Sequence, residues 1–402
     1  MSEEFVITGI GVVSPAGIGK EAFWDSLINC KAGIKEIRCF DTKNKKSRLG
    51  GEIRDFDLDA VLPDKRFRRA ANVSKYCLAS AKFAIDDAGL DSTKWDGTKV
   101  GLVVGVTHSA INYSREFHAA LVKEGPLSAS PMIFSDSVLN APAGNTSIAF
   151  NVKGATHTIV GGVPAGLHAI SYAIKIMKMS NLDMCLVGGA EELDSLVFDT
   201  YSRFGLLSPG DRFQIYPQGE QGEGMKPFAI DRNGFVIGEG ACVLMLEKKK
   251  AAIERKATIY AAISSIHTAM SLTTENCSGI CNDIPDAAGI YLSTGANGTA
   301  NDSTEAKILK KEIAKNGKPY IGNIKPIVGE CFAASGIMQA ASAAIVLCKG
   351  VIPPSTIRHN LIPEIQWVRF NRFEEKVKIK TAIVSSIGLE GEGSFLTLKR
   401  QT

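Results

Sequence analysis

The chain has 402 residues, 45% of them hydrophobic and 22% charged, with a net charge of +4. That is ordinary globular composition, long enough for one large or two medium cores, and the mild charge makes no case for a nucleic-acid partner. No charged, apolar, small-residue signal opens the chain, and no apolar run approaches the ~18–20 residues of a membrane helix. Nine cysteines (30, 39, 77, 185, 242, 277, 281, 331 and 348) are scattered and odd in number, which suits a reducing cytoplasm and not a disulfide framework. Cys277 and Cys281 have no second Cys or His pair at ligand spacing, so we read them as free thiols in a loop and expect neither metal nor cofactor.

In chain order, Phe5–Ile10 reads as a strand and Phe23–Asn29 as a helix. A longer helix over Val73–Ala88 carries apolar residues at 73, 77, 81, 84, 85 and 88 and stops at Gly89. Val100–Val106, Thr156–Val160 and Asp183–Gly189 read as buried strands. Ser208–Met225 is rich in Gly, Pro and Gln and is expected to be an exposed loop. The rhythm then restarts. Ala241–Glu247 and Ile259–Ile266 are strand-like, Asn301–Asn316 is helical, and Gly336–Leu347 is a small-residue helix suited to close packing. Lys380–Ile387 and Phe395–Lys399 close the chain as strands. The class is α/β, with two similar halves, 1–250 and 251–402, meeting softly at Lys248-Lys249-Lys250. No linker-like composition separates them, so the halves are expected to be tightly fused.

One segment reads as a strand–turn–helix elbow. Thr156–Val160 leads into Gly161-Gly162, Pro164 suits a first helical turn, and Leu167, Ile170, Ile174 and Met177 form a buried stripe at helical spacing.

Several segments, in order and over essentially the whole chain, resemble the β-ketoacyl synthase (condensing-enzyme) family. They are Val6–Pro15 (VITGIGVVSP), Asp183–Glu191 (DMCLVGGAE) and Lys226–Gly240 (KPFAIDRNGFVIGEG). The resemblance implies a thiolase-like fold: two duplicated β-α-β-α-β halves in a five-layer α-β-α-β-α arrangement, working as a dimer. It also implies three catalytic groups. A thiolate at a helix N-terminus takes the acyl chain, and two histidines polarise the malonyl thioester and stabilise the enolate.

All three positions hold something else. The cysteine position of the elbow is Val163. The first histidine belongs to a His-Gly-Thr-x-Thr-Pro run upstream of Asn-Asp-x-x-Glu. Asn301, Asp302 and Glu305 set that register here, and Thr294 takes the slot. The second histidine follows a lysine by five residues. Lys325 is retained, and Glu330 takes the slot, where a carboxylate would repel malonyl and enolate alike. The six histidines of the chain (108, 118, 157, 168, 267 and 359) fall in neither slot. The family's Gly-Phe-Gly-Gly gate resembles Gly388-Leu389-Glu390-Gly391, with Leu389 as gate residue and its N–H as oxyanion donor; Glu390 and Glu392 add negative charge there.

This pattern resembles the KSβ or chain-length-factor subunit of polyketide and polyene systems, which pairs with an active ketosynthase. Gly161–Ala169 is similar to the Gly-Gln-Ala-Gly-Gly-Leu-Asp run of such factors, with Val163 in place of glutamine. Ser135–Gly144 resembles their interface segment, which makes Ile133, Phe134 and Leu139 candidates to line the partner's acyl tunnel; core packing is an equally good account of them. Lys65, Arg66, Arg68 and Arg69 precede the Val73 helix, where the family meets its acidic acyl carrier protein; the alternative is a solvated helix start. The expected partners are therefore an active ketosynthase and an acyl carrier protein, with neither nucleic acid nor membrane. Two other readings remain open: repurposed acyl-thioester chemistry with Cys331 as nucleophile and Thr294 as donor, and an acyl-binding scaffold homodimer.

Overall fold

The computed structural model describes residues 3–210, 224–273, 289–357 and 360–401. The Cys277–Cys281 pair, His359 and most of the Ser208–Met225 segment lie outside them. The two ends of that segment, Ser208 and Met225, are buried, so the expected exposed loop does not extend to them.

Ten strands carry the architecture. In the first half they are β1 (Phe5–Ser14), β2 (Val100–Val106), β3 (Thr156–Val160), β4 (Met184–Glu191) and β5 (Gly240–Lys248). In the second half they are β6 (Ala261–Ala269), β7 (Ile290–Ser293), β8 (Tyr320–Gly322), β9 (Thr381–Ile387) and β10 (Gly393–Lys399). The spatial order is β3-β2-β4-β5-β1 in the first half and β8-β7-β9-β10-β6 in the second. The two halves therefore share one topology. The first three strands of each order are mutually parallel, and the last two are antiparallel to their neighbours. β1 and β6 join the halves through the pairs Phe5↔Ile263, Val6↔Ala262 and Ile7↔Ala261.

The principal helices are α1 (Asn72–Asp87), α2 (Ile111–Glu124), α3 (Pro131–Ser137), α4 (Ala141–Ala149), α5 (Ala165–Met179), α6 (Ser195–Arg203), α7 (Asn301–Ile313) and α8 (Ala333–Lys349). α5 and α8 lie between the sheets, in a core that takes Ile7, Val103 and Leu244 from one half and Val384, Leu396 and Leu398 from the other. α1 covers the outer face of the first sheet and α7 that of the second. These are the five layers expected.

Small residues make the central layer possible. α8 is buried from Ala333 to Leu347, and a Cβ on Gly166 or Gly189 would lie 2.1 or 2.3 Å from the Ala333 carbonyl oxygen. β1 runs four residues past its expected end. Its Gly9 and Gly11 lie so close to α1 that a Cβ on Gly9 would meet the Ala84 carbonyl at 2.1 Å and one on Gly11 the Ser80 carbonyl at 1.9 Å. The glycines thus serve close packing within a continuing strand.

Candidate functional site

The sequence-predicted site residues gather at the C-terminal ends of parallel strands, where α/β folds place their sites. β3 ends in the Gly161-Gly162 turn, followed by Val163. Pro164 is the N-cap of α5, one position earlier than expected. Thr294 follows β7, Lys325 and Glu330 lie between β8 and α8, and the 388–392 loop joins β9 to β10.

Val163 is buried at 3% exposure in an apolar cluster with Phe198, Phe235 and Phe332, and Leu389 packs against the same cluster half-buried. Thr294 is fully buried, and both its N–H (3.0 Å) and its hydroxyl (3.2 Å) donate to the Gly322 carbonyl. The run's two threonines are Ala296 and Gly298 here.

Glu330 is the centre of a buried network. Lys325 and Glu330 are both 0% exposed and form an ion pair, Nζ to Oε2, of 2.7 Å. Oε2 also accepts from the Asn297 amide at 2.9 Å. Oε1 accepts from the Ser335 hydroxyl at 2.9 Å and the Phe332 N–H at 3.1 Å. Lys325 donates in turn to the Gly295 carbonyl, next to Thr294. Glu330 is thus not an open negative charge: Lys325 pairs with it, and both oxygens are occupied. The Lys226–Gly240 stretch builds this arrangement. The Glu330 N–H donates to Val236 (2.7 Å), and the Gly238 N–H donates back to Glu330 (2.9 Å).

Asp302 and Glu305, which set the register in sequence, are buried carboxyls that shape the loop. Asp302 accepts from the N–H groups of Phe228 (2.8 Å), Asn297 (3.0 Å) and Gly298 (3.0 Å). Glu305 accepts from Gly295 N–H (2.8 Å) and from Ser385. Burial raises them to about 6 and about 7 respectively. Asn301 ties α7 to the 388–392 loop by donating to the Gly388 carbonyl at 2.8 Å. Glu390 is exposed. The Glu392 carboxylate instead lies against Gly162 and Gly388, where a Cβ would meet it at 2.1 and 1.7 Å. Gly391 needs its glycine, with φ at +88°.

Two residues escaped the sequence reading. His108 and Tyr201 meet beside Phe332: Tyr201 Oη lies 3.3 Å from His108 Nε2, and the Tyr201 and Phe332 rings stack at 5.2 Å. Glu191 Oε2 lies 3.7 Å from His108 Nδ1 and is held by the N–H groups of His108 and Ser109. Burial, then the carboxylates of Glu330, Glu191, Glu390 and Glu392, push the Tyr201 phenol up to about 12. Phe332 occupies the left-handed region at φ 43°, a strained position for a bulky side chain. Cys331 is fully buried, with Sγ 3.4 Å from the Glu239 carbonyl. Burial and the neighbouring Glu330 and Glu239 carboxylates hold its thiol far above the ordinary range, the opposite of an activated nucleophile.

Away from these residues, Lys65, Arg66, Arg68 and Arg69 are all exposed. Asp64 engages Arg66 at 2.6 Å and Asp59 engages Arg68 at 3.3 Å, so the cluster is less basic than its sequence suggests. Phe134 (52%) and Leu139 (41%) are exposed, while Ile133 is half-buried.

The duplicated five-layer architecture, with these residues at the strand ends, is the thiolase-like fold of ketosynthases. The Beta-ketoacyl synthase N-terminal domain model matches residues 2–252, and the C-terminal domain model matches residues 289–358. The chain belongs to the β-ketoacyl synthase family. It is 27% identical to 3-oxoacyl-[acyl-carrier-protein] synthase 2 of Vibrio harveyi over 98% of each chain. It is also 27% identical, over 99% of this chain and 98% of the relative, to a Streptomyces halstedii protein named for a polyketide beta-ketoacyl synthase. Among solved structures it resembles the ishigamide ketosynthase/chain length factor, with a TM-score of 0.87, 22% identity and full coverage of both chains. A type II PKS ketosynthase solved with its acyl-carrier protein gives a TM-score of 0.84 at 23% identity, again with full coverage of both.

Proposed function

We propose that this chain is a non-condensing β-ketoacyl synthase homologue of KSβ or chain-length-factor type. It pairs with an active ketosynthase and shapes that partner's acyl tunnel, in polyketide, polyene or specialised fatty-acid biosynthesis. The observation that carries this reading is the Glu330 network. Condensation needs a nucleophile and two imidazole donors at these slots. Val163 has no nucleophilic atom, the Thr294 hydroxyl donates to a backbone carbonyl, and Glu330 is an acceptor already occupied on both oxygens. Replacement of all three, with the loops around them well bonded, supports a frame kept for shape. The buried, unactivated thiol of Cys331 speaks against repurposed acyl transfer.

The outer surface supports pairing. β3 ends the strand order of its half, and its Val160 is 56% exposed. An uncovered strand edge is a template for a second chain. Phe134 and Leu139, with Ile133 behind them, are the residues we assign to the partner-facing surface. Lys65 and Arg69 are the stronger candidates for carrier-protein docking, since Arg66 and Arg68 already have carboxylate partners. Among the described residues seven cysteines are free thiols, and no helix is long and apolar enough to cross a membrane. A cytoplasmic setting fits the thiols.

The test is co-expression with a candidate partner, a ketosynthase that carries the intact Cys-His-His set, followed by size-exclusion chromatography. A stable one-to-one complex is expected. Two separate homodimers would overturn the pairing.

A further inference from the structure

We infer that Asp136 is a positioning residue that latches the apolar α2–α3 hairpin in the pose that meets the partner, an inference that rests on the pairing proposed above.

The hairpin has little core of its own. None of the 14 residues of α2 is buried, and the one buried side chain of α3 is the Asp136 carboxylate, at 7% exposure. The apolar groups point outward instead: Met132 is 51% exposed, Phe134 52% and Leu139 41%. Phe117 packs on Phe134 with ring centroids 5.3 Å apart. Apart from Ile111 and Tyr113 at the start of α2, which pack partly buried on neighbouring clusters, burial against its own chain does little to fix this segment, and polar contacts do more.

Asp136 makes three of them, all to elements outside the hairpin. It accepts from the Ala71 N–H, from the Ser74 hydroxyl at 3.3 Å and from the Asn145 amide at 2.8 Å. Ala71 is the N-cap of α1, so the carboxylate caps another helix, where free N–H groups and the helix dipole favour an acidic group. Glu192 secures the other foot, accepting from Val73 N–H of α1 (3.3 Å) and Asn112 N–H of α2 (3.2 Å). The turn between β2 and α2 links the end of the hairpin to the elbow. Ser109 Oγ contacts the Leu139 carbonyl at 3.5 Å, and Thr107 Oγ1 contacts the Gly162 carbonyl at 3.4 Å. Phe134 and Leu139 flank Asp136 closely in the chain, so the carboxylate sets where both side chains stand. The surface it presents runs from the hairpin to the open β3 edge beside the elbow, and an active synthase is the occupant we assign to it.

The test uses the full chain co-expressed with a candidate partner, a ketosynthase that carries the intact Cys-His-His set, as wild type, Asp136→Ala and Asp136→Asn. Hydrogen exchange over residues 111–140 is expected to quicken at least about tenfold in Asp136→Ala, equivalent to about 1.4 kcal/mol of lost local stability. Exchange in β5 should stay unchanged, and the synthase's product chain lengths should broaden. Asp136→Asn keeps one acceptor for the Ala71 N–H and should fall between the two; it decides the matter if the alanine variant does not fold. Unchanged exchange overturns the latch. Faster exchange with wild-type pairing and product lengths overturns the positioning role. If the wild-type chain itself forms no complex, the proposed function fails, and the exchange measurement still decides whether Asp136 holds the hairpin.

Discussion

Removing the charge at Glu330 should destabilise the fold more than any exposed substitution. Glu330→Gln leaves Lys325 fully buried, with a carbonyl as its remaining strong acceptor. Removing one member of a buried pair costs about 3–5 kcal/mol. Lys325→Met should cost a similar amount, because it strands a buried carboxylate among neutral donors. The double variant has no stranded charge, so its loss should fall short of the summed single losses by about 2 kcal/mol. Urea unfolding of the four proteins at one protein concentration reads these values. Additivity within about 0.5 kcal/mol would refute the claim that the two residues act as one unit.

Other outcomes follow from the same structure. Val163→Cys alone should not restore condensation, because Thr294 and Glu330 supply no imidazole; product from that single variant in a malonyl-thioester assay would show the pocket has been misread. Stability should fall as pH rises from about 5 to about 8. Burial raises Asp302 to about 6, Glu239 and Glu305 to about 7 and Glu192 to about 8, so the folded chain holds protons that the unfolded chain releases at lower pH. Thermal melts that show rising stability across that window would contradict it. Iodoacetamide should label the exposed Cys348 in the native chain and spare Cys331, as peptide mass spectrometry would read. Lys65→Glu with Arg69→Glu should slow carrier-protein association and flatten its salt dependence, while Arg66→Glu should matter less.

Much of the fold was legible because buried strands announce themselves as short apolar runs. Val100–Val106 and Thr156–Val160 match to the residue, although Thr156–Val160 is an edge strand exposed at both ends and not the buried strand expected, and most other elements match within a few residues. The missed end of β1 has a local cause: Gly9 and Gly11 look like breakers in sequence but are packing contacts against α1. The residues at the motif positions could be read from register, yet their contacts could not. Sequence shows Lys325 and Glu330 five residues apart; it takes the Lys325–Val328 helical turn and the reversal at Gly329, with φ +86°, to turn one side chain onto the other. His108 and Tyr201 come from distant segments, and only the packing of β2, α6 and Phe332 unites them. The pairing of Arg66 with Asp64 was within reach of the sequence, two residues apart, and could have tempered the docking assignment.

The central claim is that this chain shapes a condensation it does not perform. Incubating the purified complex with acyl- and malonyl-carrier-protein thioesters and locating the acyl adduct by intact-protein mass spectrometry tests it directly. The account predicts an adduct on the partner synthase alone, and neither adduct nor condensation product when this chain is incubated by itself. An acyl adduct on this chain, or product formed in the partner's absence, would contradict it.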